Sequence, residues 1–155
     1  MKICFITSTR ADFGLLNNVI KKVRNKKKFK VQLIASGTHF SKKFGSTFKE
    51  INKSKSKINN KIILKYDSKG PASITSVMAK CLNEATKLFK TMKPDLVVVL
   101  GDRYEILAFT LSAYISKIPI AHIHGGEVTR GVLDDAFRHS ITKLSHVHFV
   151  SSENY

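Results

Sequence analysis

The chain has little of what secreted, metal-binding or membrane-spanning proteins rely on. It has only two cysteines, Cys4 and Cys81, in 155 residues. Each falls inside an apolar run without metal-ligand spacing, so both are expected to be buried thiols in a reducing cytoplasm. No stretch approaches the ~20 apolar residues of a membrane span, which argues against a membrane partner. Met1–Ile6 turns polar too soon to be a signal peptide and suits a first strand better. Acids are scarce, with 11 Asp and Glu against 27 Lys and Arg, giving a formal charge of +16. Most of the excess is lysine between Lys21 and Lys65, where Glu50 is the only acid. Arginine is rare, and aromatic residues do not interleave with the lysines, so a nucleic-acid partner is disfavoured. The lysines read as a solvated face whose field would still attract a diphosphate-bearing substrate. The phosphate-loop and dinucleotide glycine signatures are missing, as is H-E-x-x-H. Nothing calls for NAD, a metal or any other cofactor.

The sequence does contain apolar runs that end in polar turns. Leu96–Leu100 (LVVVL) breaks at Gly101-Asp102-Arg103, and Ile118–Ile123 breaks at His124-Gly125-Gly126-Glu127. Unbroken β-branched runs are how strands of a parallel sheet read when helices cover both faces. Further strands are expected at Lys2–Ser8, Val31–Ser36, Lys61–Tyr66 and His146–Ser151. Helical spacing runs from Leu15 to Arg24, from Ile74 to Phe89 with Ser73 as a possible N-cap, from Tyr104 to Ile115 and from Leu133 to Leu144. Phe40, Phe44 and Phe48, spaced by four, suggest one more helical stripe. Asn52–Asn60 reads as a polar, mobile loop, and Asp67–Pro71 as a turn. Six strands alternating with helices make a doubly wound, Rossmann-like α/β domain with a parallel sheet. Strand order 3-2-1-4-5-6 is expected by analogy with dinucleotide-binding folds.

In such sheets ligands bind beyond the carboxyl ends of the strands. That gathers Asp102, Arg103, His124, Glu127, Asp134, Asp135, Arg138 and His139 around one crevice. Each has a plainer reading. Asp102 is also a good N-cap for the helix starting at Tyr104. Arg10, in the turn after the first strand, either meets a phosphate with its planar fork or pairs with Asp12 on the surface. His122 and His124 alternate by two and would share one strand face, as zinc ligands would, but a catalytic or hydrogen-bonding role suits them better. Asp135, Arg138 and His139 fall on one helix face, which also describes a salt-bridged surface helix.

Taken together, STRADFG (8–14), SGTHF (36–40), GDRYE (101–105), HIHGGEVTRG (122–131) and DDAFRHSITKLSHVHFVSSENY (134–155) resemble the amino-terminal half of the hydrolysing UDP-N-acetylglucosamine 2-epimerases. The non-hydrolysing branch has Gly-Thr-Arg-Pro-Glu where this chain has Ser-Thr-Arg-Ala-Asp. The resemblance implies residues 1–155 are the N-terminal Rossmann-like domain of a two-domain enzyme of the glycosyltransferase-B type, with the C-terminal nucleotide-binding domain absent. It implies conversion of a UDP-2-acetamido sugar and water into UDP and the free C2-epimer, by a homo-oligomer, with no cofactor. Asp102 matches a family catalytic aspartate, and Asp134 and Asp135 match an acidic pair that includes another. Arg10 matches the arginine expected near the diphosphate. His39, Arg103, Glu127, Arg138 and His139 are further pocket candidates. Some family members carry a catalytic glutamate where this chain has His124. Either His124 is itself the acid/base, or Glu127 approaches the sugar, or the substrate differs. The other readings are a related enzyme for UDP-2,4-diacetamido-2,4,6-trideoxyglucose, a non-catalytic UDP-sugar-binding fragment and a basic nucleic-acid binder.

Overall fold

A computed structural model describes residues 1–42, 45–54, 56–66 and 70–153. Six strands form one sheet, β1 (Lys2–Thr7), β2 (Lys30–Ala35), β3 (Asn60–Lys61), β4 (Leu96–Leu100), β5 (Ile120–Ile123) and β6 (Val147–Phe149). Their order is β3-β2-β1-β4-β5-β6, and every pairing is parallel. Five helices connect them, α1 (Arg10–Arg24), α2 (Phe48–Lys53), α3 (Pro71–Met92), α4 (Tyr104–Ile115) and α5 (Leu133–Leu144). The doubly wound α/β expectation and its strand order both hold.

The apolar runs are continuous because alternate residues bury against opposite helix layers. Cys4, Ile6, Val97, Val99 and Ile120 face a core shared with α3, α4 and α5. Ile3, Phe5, Leu33, Val98 and Ala121 face a second core with Phe13, Leu16, Ile20 and Ile51 of α1 and α2. α4 sits deepest, with Glu105 through Thr110 all buried. Both cysteines are buried, unpaired thiols, and burial pushes each up to about 12. No helix among the described residues is long and apolar enough to cross a membrane.

Several local expectations give way to specific contacts. Phe40 and Phe48 do not share a helix. Gly37–Phe40 is a single 3-10 turn, and the chain reverses through Gly45 and Ser46, both at positive φ, before α2 begins. The two rings still meet, stacked at 5.6 Å between centroids; Phe44 lies outside the described residues. β3 shrinks to two residues, and beyond Ile62, whose N–H donates to Ala35 O at 3.0 Å, the run leaves the ladder. The segment before it makes specific hydrogen bonds to the domain. Asn59 exchanges bonds with the Leu33 backbone, and the Ser56 hydroxyl reaches Asn17 Oδ1 at 3.2 Å. α2 takes up Asn52 and Lys53 of that stretch, and Lys55 lies outside the description. α3 starts at Pro71 with Gly70 as N-cap, not at Ser73, because proline needs no amide partner at the first helical position. Asp67, Ser68 and Lys69 of the expected turn are also outside the described residues. β6 is shorter than expected and exposed along its whole length.

Candidate active-site cleft

Two central strands, β4 and β5, end in turns that depend on unusual backbone. Gly101 after β4 and His124 and Gly126 after β5 all take positive φ. Gly125 is required for a different reason. A Cβ there would lie 2.6 Å from His122 Nδ1 and 2.9 Å from Thr142 Oγ1. The turns open onto a cleft of about 400 Å³ lined by Thr9, Asp12, Leu15, Gly101, Asp102, Arg103 and Asp134, among others.

Arg138 of α5 is the centre of the site. One terminal nitrogen meets Asp102 in a short ion pair. The other donates to the Glu127 carbonyl at 3.1 Å and to Thr129 Oγ1 at 3.0 Å, and lies 3.9 Å from Glu127 Oε2. Its side chain is only 11% exposed, so these partners replace most of its water. Asp102 is therefore not the helix cap. Arg103 occupies that position with extended torsions and no capping side chain, and Asp102 turns instead to the arginine.

Asp134 lines the cleft, whereas Asp135 is committed elsewhere. Asp135 Oδ1 accepts the Thr129 amide at 2.6 Å, and its other oxygen lies 3.7 Å from His139. Burial, and then the charge of Asp102, raise the Asp134 pKa above the ordinary aspartate value. Glu127 moves the other way. Its bond to His124 Nδ1 at 3.0 Å, followed by a bond from Ser151, holds its pKa down.

His122 and His124 do not form a pair. His122, on β5, is buried and gives Nε2–H to the Gly101 carbonyl at 2.7 Å, leaving Nδ1 to face Thr142. The positive φ of His124 carries it off the strand line towards Glu127. Among the described residues no three His, Cys, Asp or Glu side chains are placed to hold a metal ion.

The first turn is organised by Asp12, not by Arg10. Asp12 Oδ2 accepts the Ser8 amide at 2.9 Å and the Thr9 amide at 2.8 Å, and Oδ1 accepts the Thr7 hydroxyl. With Thr9 it closes a capping box on α1. Arg10 is 73% exposed and bonds Glu50 of α2 at 3.0 Å, not Asp12. His39 is fully buried. Its Nε2 lies 2.9 Å from Thr7 Oγ1 and its Nδ1 2.8 Å from Thr47 Oγ1, and burial lowers its pKa. Thr7 gives its proton to Asp12, so the network assigns the Nε2–H tautomer.

Of the residues singled out in the sequence, Asp102, Arg103, Glu127, Asp134 and Arg138 converge, with His124 joined through Glu127. Arg10, His39, Asp135 and His139 stand away from the cleft lining. Sequence reasoning missed Asp12 as an organiser, and with it Glu105, Tyr66 and Thr142. The Thr9-x-x-Asp12 capping-box spacing was the one available signal for Asp12.

The family model described as UDP-N-acetylglucosamine 2-epimerase matches residues 21–155. Over 154 residues the chain is 43% identical to the GDP/UDP-N,N'-diacetylbacillosamine 2-epimerase (hydrolyzing) of Campylobacter jejuni, covering 99% of this chain and 40% of that protein. It is 36% identical to the Legionella pneumophila UDP-N,N'-diacetylbacillosamine 2-epimerase (hydrolyzing), covering 98% and 40%. The chain thus spans about 40% of the length of these relatives. The crystal structure of UDP-GlcNAc 2-epimerase from Neisseria meningitidis bound to UDP-GlcNAc superposes with a TM-score of 0.87 at 22% identity, covering 99% of this chain and 41% of that one. That likeness establishes the shared Rossmann-like fold.

Proposed function

The chain belongs to the UDP-N-acetylglucosamine 2-epimerase family, and on that premise we propose that it is the amino-terminal, sugar-side domain of a hydrolysing epimerase. The whole enzyme would convert a UDP-2-acetamido sugar and water into UDP and the free C2-epimer. A second Rossmann-like domain, outside these 155 residues, would complete the nucleotide site. The observation that carries this reading is the Asp102–Arg138 pair facing Asp134 in one cleft at the carboxyl end of the sheet.

The C2 hydrogen of such a sugar is a weak acid, so cleavage of the C1–O bond leads. The bonding pair leaves with the diphosphate, and positive charge develops at C1. A carboxylate held beside that carbon stabilises the charge. Asp102 is suited to this because Arg138 fixes its orientation. Loss of the C2 proton to a nearby base then gives a 2-acetamidoglucal. Water adds its hydroxyl to C1, and a proton returns to C2 from the opposite face. Asp134 fits the donor, since its raised pKa keeps it protonated at higher pH than an ordinary aspartate. His124 with Glu127 is the other acid/base couple at the rim.

The departing diphosphate needs cations and amides. Arg103 lines the cleft, as does the amino-terminal turn of α1. Arg10 would join them by leaving Glu50, an exposed pair whose opening costs about 0–1 kcal/mol. For UDP-N-acetylglucosamine the product is N-acetylmannosamine. The two diacetylbacillosamine enzymes, at 43% and 36% identity, favour UDP-2,4-diacetamido-2,4,6-trideoxyglucose as the second substrate to try.

Proton NMR in deuterated water with each sugar tests the reading. UDP together with a free sugar deuterated at C2 is the expected product pair. Epimerised sugar still attached to UDP would overturn the hydrolysing assignment.

A further inference from the structure

Glu105 lies in the first turn of α4 and has no solvent exposure, yet it accepts three bonds from charged or phenolic donors. Arg103 gives it Nε–H at 3.0 Å and a terminal N–H at 2.9 Å, a two-point grip on one edge of the guanidinium. Tyr66, from the segment after β3, donates its hydroxyl at 2.8 Å. Tyr104 lies under the guanidinium, 5.4 Å from ring centroid to Cζ. Burial, reinforced by the Glu105 charge, pushes the Tyr66 phenol up, so it remains a donor.

This arrangement answers a problem set by the site itself. Arg103 lines a cleft that it shares with Asp102 and Asp134. An arginine beside two carboxylates tends to fold onto them, as Arg138 does onto Asp102. A guanidinium folded in that way spends its N–H groups on the cleft carboxylates and turns them from an incoming anion. A buried carboxylate that takes the inner edge keeps the cation in place and leaves its outer edge for a ligand.

We propose that Glu105, steadied by Tyr66, is a positioning residue that holds Arg103 as a preset anion-binding arm for the diphosphate of the nucleotide-sugar substrate. The inference rests on the epimerase reading above, and adds to it two residues that never touch the ligand.

Calorimetric titration with UDP tests it on the complete two-domain enzyme, as wild type and with Glu105→Gln, Tyr66→Phe and Arg103→Met, alone and combined. Glu105→Gln should weaken UDP about tenfold and Tyr66→Phe about threefold, and both effects should vanish once Arg103 is Met. In turnover the same two variants should raise KM with little change in kcat. Tyr66→Phe removes one hydroxyl, and an unchanged circular dichroism spectrum would separate positioning from misfolding. UDP affinity unaltered by Glu105→Gln, or a loss that persists in full in the Arg103→Met background, would overturn the proposal alone. A complete wild-type enzyme with no affinity for UDP or for either UDP-sugar would overturn the functional reading and this inference with it.

Discussion

The imidazole of His122 donates Nε2–H to the carbonyl oxygen of Gly101 at 2.7 Å, tying the end of β5 to the turn that carries Asp102. Thr142 of α5 sits 3.2 Å from the other ring nitrogen and 2.9 Å from the Arg138 carbonyl. One neutral ring therefore aligns the elements that supply Asp102 and Arg138.

That ring should make stability depend on pH. Burial depresses the folded pKa of His122 below its unfolded value. Its contribution is then whole above the unfolded value and is lost as pH falls through the folded one. Urea midpoints measured across that range should fall on acidification in the wild type. His122→Gln should start lower and change less. A parallel pair of curves would refute the linkage.

Asp134 should govern a basic limb in the rate profile. Its raised pKa comes from burial first and from the Asp102 charge second. A protonated donor is lost as pH rises, so kcat should fall through that value. Asp134→Asn should lower kcat by about 10²–10⁴-fold, and Asp135→Asn should cost far less. Removing the Asp102 charge with Asn should move the limb to lower pH in whatever activity remains, read as UDP release.

His124→Asn tests whether the histidine takes over proton transfer. The variant should turn over at least about 10²-fold more slowly while still binding UDP. Near-normal UDP release would assign the chemistry to Glu127 or Asp134 instead.

Phe109 tests the core beneath the site. It belongs to α4 and is fully buried in the core that the sheet shares with α3, α4 and α5. Phe109→Ala should cost about 3–5 kcal/mol, measured by urea unfolding, and an effect under about 1 kcal/mol would mean that this core is loosely packed.

The sheet was legible because its signal is one of composition. LVVVL reads as a strand covered by helices on both faces, so β4 and its neighbours followed, while their order came from the analogy with dinucleotide-binding folds. The ends of the sheet were not. KIILKY has strand composition throughout, but only Asn60 and Lys61 pair with β2, and Tyr66 is spent on Glu105. The phenylalanine spacing of four pointed to a helix that Gly45 and Ser46 interrupt. In the site, the polar residues that follow β4 and β5 were readable from where the apolar runs stop. Which of Asp134 and Asp135 faces the cleft was not, because that choice depends on the Thr129 amide taking Asp135. The capping reading of Asp102 failed for the same kind of reason, since Arg138 lies 36 residues away in sequence. Local propensity contains no information about such partners.

Asp12 leaves that position with no conservative neighbour. Asparagine keeps its carbonyl on the Ser8 and Thr9 amides only by turning its NH2 towards Thr7, which must then accept where it now donates, and glutamate would overshoot all three by one methylene. In a library of variants selected only for folding, this position should tolerate exchange less than Asp102, Glu127 or Asp134. Its depletion pattern would separate the demands of architecture from those of chemistry at a site where the two lie within one turn of helix.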